Sequence, residues 1–253
     1  MCRLLAWRTP HPVCPEEVLG ADRDSLVDLS RIHCDGWGMA TAEPDGTLLV
    51  ERGPEPAHLS PAFTAALTSR RAQAGVIHLR WATEGLAVNL GNTHPFESPS
   101  DIGPIAFVHN GMLPGSADLV SDIDADLVRT FRGDTDSERY FGLFMTELRR
   151  EDGDIAAAMQ RTSKRLSDVA YTSLNAMILT PRTLAVACLF KPENRPLDEE
   201  ENYFDLTWSA VDGVVSAWSM GVRPHAAEGQ PLPNGTLLVV DIASGDIDLV
   251  SIH

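Results

Sequence analysis

Met1-Cys2-Arg3-Leu4-Leu5-Ala6-Trp7 opens the chain. The segment Met1–Trp7 reads as a short buried strand. Further short strands are expected at Trp37–Thr41 and Thr47–Arg52, with Pro44-Asp45-Gly46 as the turn between them. Gly75–Trp81 and Ile105–Val108 read as buried strands. Pro15–Gly20 reads as a short helix and Pro61–Arg71 has helical spacing.

The middle of the chain is helical in pattern. Asp118–Phe131 and Asp154–Ser167 are two candidates. Between them Thr135, with Glu138 three residues on, predicts a capped helix running to about Arg150. Strands return at Leu174–Thr180, Thr183–Phe190, Tyr203–Val211, Val214–Ser219, Gly235–Asp241 and Ile247–Ile252. Asp212-Gly213 and Ser244-Gly245-Asp246 are hairpin-like turns. The order is strands, helices, strands. It lacks the βαβα alternation of a parallel sheet, so two antiparallel sheets covered by helices, an α+β arrangement, are expected. No linker divides the chain, and residues 1–253 are expected to form one domain.

Composition is that of an ordinary soluble protein: 43 % hydrophobic and 22 % charged, with a net charge of −16. An anionic surface repels phosphate backbones and anionic lipid, so no nucleic acid and no membrane is expected among the partners. The acidic runs Asp118–Asp126 and Glu193–Asp205 read as solvated faces. Cysteines stand at 2, 14, 34 and 188 with no CxxC spacing, which predicts free thiols in a reducing compartment. No apolar leader and no run of about 18 apolar residues is found, so the cytoplasm is the expected location.

Cys2 becomes the amino terminus if Met1 is removed. A terminal amine has an ordinary pKa of ~7.7–8.0, so part of it is unprotonated at neutral pH. It can then take the thiol proton, and one residue supplies both nucleophile and base. Arg80 ends an apolar strand, and its planar fork suits a bidentate bond to a carboxylate, with the Thr83 hydroxyl beside it. Asn110-Gly111 could present an amide and a backbone N–H as a two-donor oxyanion hole; an ordinary Asn-Gly turn is the alternative. In Asp134-Thr135-Asp136-Ser137-Glu138, one carboxylate could hold an ammonium group, or all could simply favour a helix start. An arginine and an aspartate together would recognise the head of a free amino acid.

Met1-Cys2-Arg3-Leu4-Leu5, Asp35-Gly36-Trp37-Gly38, HLRWAT at 78–83, NTHPF at 92–96, HNG at 109–111 and TDSE at 135–138 stand in the order of one family. The sequence resembles the class II glutamine amidotransferases, in particular the small stand-alone type called YafJ-like. It is similar, too, to the γ-glutamyl amidohydrolase of ergothioneine biosynthesis, although the tryptophan of HLRWAT speaks against that substrate. The motifs span roughly the first 140 residues. The resemblance implies a four-layer αββα sandwich of the N-terminal nucleophile hydrolase type. It implies that Cys2 is the nucleophile and that Asn110 and Gly111 hold the oxyanion. Arg80 and Thr83 would bind the substrate α-carboxylate, and Asp136 its α-ammonium.

In a supporting role, Trp37 is expected to pack next to Cys2 between Gly36 and Gly38, Trp81 to border the pocket, and His94 to order the loop beneath it. His78 and His109 are expected to be structural. Glu84 would crowd the substrate carboxylate unless it turns outward. Cys34 is expected to be a buried small hydrophobe, with a second thiol near the pocket as the alternative. No cofactor and no metal is expected: His78, His94, His109 and Asp136 are ligand types, but their spacing matches no compact metal motif. The substrate would be glutamine or a γ-glutamyl metabolite. An ammonia-supplying subunit of a partner synthase, a homo-oligomer and a catalytically inert amino-acid-binding module remain open.

Overall fold

The computed structural model describes residues 2–197, 199–222, 224 and 228–252. The first strand, β1 (Arg3–Val13), runs longer than its apolar stretch and is followed by α1 (Pro15–Leu19) and α2 (Arg23–Leu29). A hairpin of β2 (Trp37–Ala42) and β3 (Leu48–Gly53) comes next, then α3 (Pro61–Ser69) and β4 (Ala72–Leu79). The short β5 (Phe96–Ser98) pairs with β6 (Ile105–Asn110). Two helical pieces follow, a 3-10 segment (Ser116–Asp122) and α4 (Ala125–Val128), and then α5 (Asp136–Arg150) and α6 (Ile155–Leu166). The chain closes with β7 (Asn175–Leu179), β8 (Thr183–Cys188), β9 (Leu206–Val211), β10 (Val214–Ser219), β11 (Gln230–Leu232), β12 (Thr236–Asp241) and β13 (Ile247–Ser251).

These strands form two sheets. One has the order β11-β9-β10-β1-β4-β2-β3 and the other β13-β12-β8-β7-β6-β5. Every pairing is antiparallel. β1 is the central strand of the seven, held by β10 on one side and β4 on the other. The expected hairpin turns are present, with Asp212 at φ 51° and Gly213 at φ 76° between β9 and β10. Positive φ at both positions gives the twist that a tight hairpin needs.

Alternation along β1 explains the layering. Leu4 and Ala6 point into the space between the sheets, beside Val108, Met177 and Val186. Leu5 and Trp7 point the other way, into a core shared with Leu19 of α1, Leu26 of α2 and Phe63 of α3. Successive side chains of a strand face opposite sides, so a run apolar at every position requires cover on both. The other sheet is covered by α5 and α6, through Tyr140, Phe144, Ala158 and Met159 against Phe107 and Ile178. The result is four layers, helices–sheet–sheet–helices, as expected. Gly75 of β4 fits this packing because a Cβ there would overlap the Trp7 indole.

One expected helix is corrected. Asp118–Phe131 is not continuous: Ile123, extended at φ −91° and ψ 137°, breaks it into the 3-10 segment and α4. The Asp124 N–H turns instead to the Thr146 hydroxyl of α5 at 3.0 Å, so a tertiary bond replaces the helical one. Among the described residues, no helix is long and apolar enough to cross a membrane.

Candidate active site

Three strand ends and one helix start meet at one edge of the sandwich. Cys2 precedes β1, Arg80 follows β4, Gly111 follows β6, and Asp136 is the first residue of α5. Register explains the meeting: Arg3 lies opposite Leu79 across the β1–β4 ladder. Cys2, Arg80, Thr83, Gly111 and Asp136 line one open cleft, with Trp81, Leu86, Asn92, His94 and His109.

Cys2 is half-buried. Its Sγ sits 3.5 Å from the Trp81 N–H and 3.7 Å from the Trp81 carbonyl, as acceptor and donor. Burial pushes the thiol above its ordinary value, opposed by the Trp81 N–H and by the positive charges of Arg80 and Arg3. A raised thiol is protonated at neutral pH, so attack requires a proton acceptor close by. Met1, whose removal would free the terminal amine, lies outside the described residues.

Arg80 is buried and tied down at both ends. Its N–H donates to Gly36 at 2.8 Å, and its carbonyl accepts from Asp35 at 3.1 Å. Its Nη1 reaches the carbonyls of Asp35 and Ala87 at 3.3 and 3.4 Å. Arg80 lines the cleft. Asp35 also accepts from the Ala82 N–H through Oδ2 at 2.8 Å, which fixes the chain beyond Arg80.

Opposite stands the start of α5. The Thr135 side chain accepts from the Glu138 N–H, capping the helix as expected. Glu138 does not return the bond to Thr135; its oxygens accept from Arg132 and Gly133 at 2.8 and 3.0 Å. Asp136 accepts from Leu113 at 2.7 Å and from the Ser137 N–H at 2.8 Å. Each of its oxygens keeps a further lone pair, and a carboxylate at a helix start is stabilised by the macrodipole.

Asn92 joins these two walls. Fully buried, it donates from Nδ2 to the Ala87 carbonyl at 3.0 Å and to Asp134 Oδ1 at 2.8 Å. Its Oδ1 accepts from the Asp134 N–H at 3.0 Å.

The floor is built of histidines. His109 is held between the Ser173 carbonyl, 3.0 Å from Nε2, and the Ser137 hydroxyl, 2.8 Å from Nδ1. A carbonyl only accepts, so Nε2 carries the hydrogen and Nδ1 accepts from Ser137. His78 stacks on His94 with ring centroids 4.2 Å apart. Burial lowers the basicity of all three, His78 to about 3. They are neutral at pH 7. Both ring nitrogens of His94 and Nδ1 of His78 have no hydrogen-bond partner among the described residues.

Asn110 ends β6 fully buried beside Gly111, with Oδ1 unpartnered; it is not itself part of the cleft lining. Gly111 admits no side chain, because a Cβ would overlap the Ser173 carbonyl. Two expectations are corrected. Trp37 does not line the cleft: its indole is buried toward the helices, against Phe63 at 5.1 Å, with Nε1 donating to Glu55 at 3.1 Å. Cys34 is exposed, so the buried-hydrophobe reading fails. Glu84 is exposed and outside the lining. Among the described residues, no group of three His, Cys, Asp or Glu side chains could hold a metal ion. Sequence reasoning missed Asp35, Asn92 and Ser137 as parts of the site. Asp35 and Asn92 open two of the quoted motifs, which was the available signal.

The profile of the family described as glutamine amidotransferases class-II matches residues 1–177. Glutamine–fructose-6-phosphate aminotransferase (isomerizing) of Mycolicibacterium paratuberculosis is 32 % identical over 197 residues, covering 74 % of this chain. The chain spans 29 % of that relative's length. A solved glutamine aminotransferase class-II domain protein from Silicibacter pomeroyi superposes with a TM-score of 0.65 at 18 % identity, covering 98 % of both chains. The glutamine phosphoribosylpyrophosphate amidotransferase of B. subtilis superposes at 0.66 and 15 % identity, over 99 % of this chain and 49 % of that one. These likenesses show the same fold, two antiparallel sheets with helices, in those proteins. With its family profile covering 177 of 253 residues, the chain belongs to the class II glutamine amidotransferases.

Proposed function

We propose that the protein is an N-terminal cysteine amidohydrolase acting on the side-chain amide of glutamine or of a γ-glutamyl compound. The observation that carries this reading is the gathering of Cys2, Arg80 and Asp136 around one cleft. Arg80, with Thr83, takes the substrate α-carboxylate, and Asp136 takes the α-ammonium. The two charges fix the glutamyl head, so its amide carbon lies toward Cys2. With Met1 removed, the α-amine accepts the thiol proton as sulfur bonds to the amide carbon. Asn110 and Gly111 donate to the oxyanion; one such donor is worth ~2.7–4 kcal/mol of barrier in comparable hydrolases. The carbon–nitrogen bond then breaks, the amine leaves with the proton, and a γ-glutamyl thioester remains. Water cleaves the thioester to glutamate and restores the thiol.

A second reading, an ammonia-supplying glutaminase of a partner synthase, is favoured by apolar surface beside the cleft. Trp81, Val88 and Leu90 are about half exposed on the segment that borders it, and exposed apolar side chains in one region mark contact surfaces. Glutamate release from glutamine, measured on processed wild type and Cys2→Ser, tests the amidohydrolase. Turnover in wild type and its loss in the variant are expected. A wild type that neither turns over nor reacts covalently at Cys2 with the diazoketone analogue of glutamine would instead leave an inert binding module.

A further inference from the structure

The proposed reaction needs two charged groups at a set separation, and these groups sit on segments with no covalent reason to keep it. Arg80 belongs to the loop after β4, and Asp136 to the start of α5. From the bonds between those segments we infer that Asn92 is a positioning residue that sets the span of the amino-acid head pocket. The inference rests on the proposed roles of Arg80 and Asp136.

The observations converge on one side chain. Nδ2 of Asn92 holds the Ala87 carbonyl, the same atom that accepts from Arg80 Nη1. Its other Nδ2 hydrogen and its Oδ1 close a two-bond ring with Asp134, through Oδ1 and the N–H of that residue. Asp134 is two residues before Asp136. A single amide therefore ties the carboxylate-binding wall to the ammonium-binding wall, and both its donors are used.

Backbone packing enforces the same join. A Cβ on Gly133 would overlap Asn92 Oδ1, and a Cβ on Gly91 would overlap the Arg132 carbonyl. The two segments touch with no side chain between them. Asparagine is the side chain that fits: aspartate of equal size would set its oxygen against the Ala87 carbonyl and the Asp134 carboxylate, acceptor against acceptor. Glutamine would push the walls apart by one methylene.

The test separates head binding from thiol chemistry. Wild type, Asn92→Ala, Asp134→Ala and Gly133→Ala are treated with the diazoketone analogue of glutamine, and the half-saturating concentration for Cys2 modification is read. The same proteins are treated with iodoacetamide, which needs no head pocket. Loss of the Asn92–Asp134 hydrogen bonds, or their displacement by the Cβ of Gly133→Ala, predicts a half-saturating concentration up by about tenfold. Iodoacetamide rates should stay within about twofold, as the thiol and its Trp81 contacts are untouched. Asp134 is exposed, so Asp134→Ala keeps the test open if Asn92→Ala does not fold. Folded variants that saturate like wild type overturn the inference and leave the amidohydrolase reading standing. Variants that slow both reagents alike reduce Asn92 to a general structural role, which overturns it too. A wild type that the analogue never modifies ends both.

Discussion

The cleft has two kinds of construction. The walls, from Asp35 and Arg80 through Asn92 to Asp136, are joined by hydrogen bonds in each of which one partner lines the cleft. The floor around His78 and His94, with Phe96 beside them, is held mainly by tilted ring contacts and burial: neither His94 nitrogen nor His78 Nδ1 has a hydrogen-bond partner among the described residues, and His78 Nε2 lies 3.3 Å from the His109 carbonyl. A bonded wall depends on individual atoms. A buried floor of rings depends on staying uncharged. The difference predicts that wall variants change binding and turnover, whereas the floor responds to pH.

The strongest test is at the corner where wall and floor meet. Gly111→Ala forces the end of β6 away from Ser173 and displaces the proposed oxyanion donor. Glutaminase turnover is expected to fall on the order of 10²–10³-fold, and steady-state kinetics checks it. A variant with full turnover would remove Gly111 from the chemistry. Next in size is Arg80→Lys, which keeps the charge but loses the fork. The half-saturating glutamine concentration should rise by about tenfold or more, and titration of initial rates reads it.

The floor is tested by stability. His78 titrates at about 3 in the fold against 6.5 when free. The unfolded chain therefore binds the proton first as pH falls. The stabilisation from keeping His78 neutral is fully present above pH 6.5 and is lost progressively as pH drops toward 3. His94 and His109 shift in the same direction. Each such histidine lowers stability by up to about 1.4 kcal/mol per pH unit within the window. Urea midpoints between pH 6.5 and about 5, where most carboxylates are still ionised, should fall steadily. A flat profile would mean the rings are not buried neutral. The smallest effect is expected at Cys34→Ser and Glu84→Gln, both exposed: turnover within about twofold and stability within about 0.5 kcal/mol.

Much of this site was legible because its residues are local signals at strand ends. Cys2, Arg80, Gly111 and Asp136 each flank a run whose apolar pattern announces the strand or helix beside it. The joins between them were not legible. Asn92, Asp35 and Ser137 act through partners 28 to 47 positions away, as in the His109–Ser137, Asn92–Asp134 and Ala82–Asp35 bonds, and no local pattern encodes a distant partner. Trp37 failed for a question of parity. It lies on the same face of β2 as Met39, which looks at the helices, whereas Ala40 and Ala42 look at the other sheet; a sequence gives alternation but not which side holds the pocket. β5 and β11, three residues each, are too short for a period to register.

The place of β1 in its sheet has a consequence for biosynthesis. β1 waits for a neighbour ending at Leu79 and another ending at Ser219. At about 5–20 residues per second, ribosomes need roughly 10–40 s to reach that second neighbour. Throughout this interval the sulfur of Cys2 has no finished surroundings. The proposed nucleophile therefore gains its surroundings only when late translation slots its strand into the middle of the sheet.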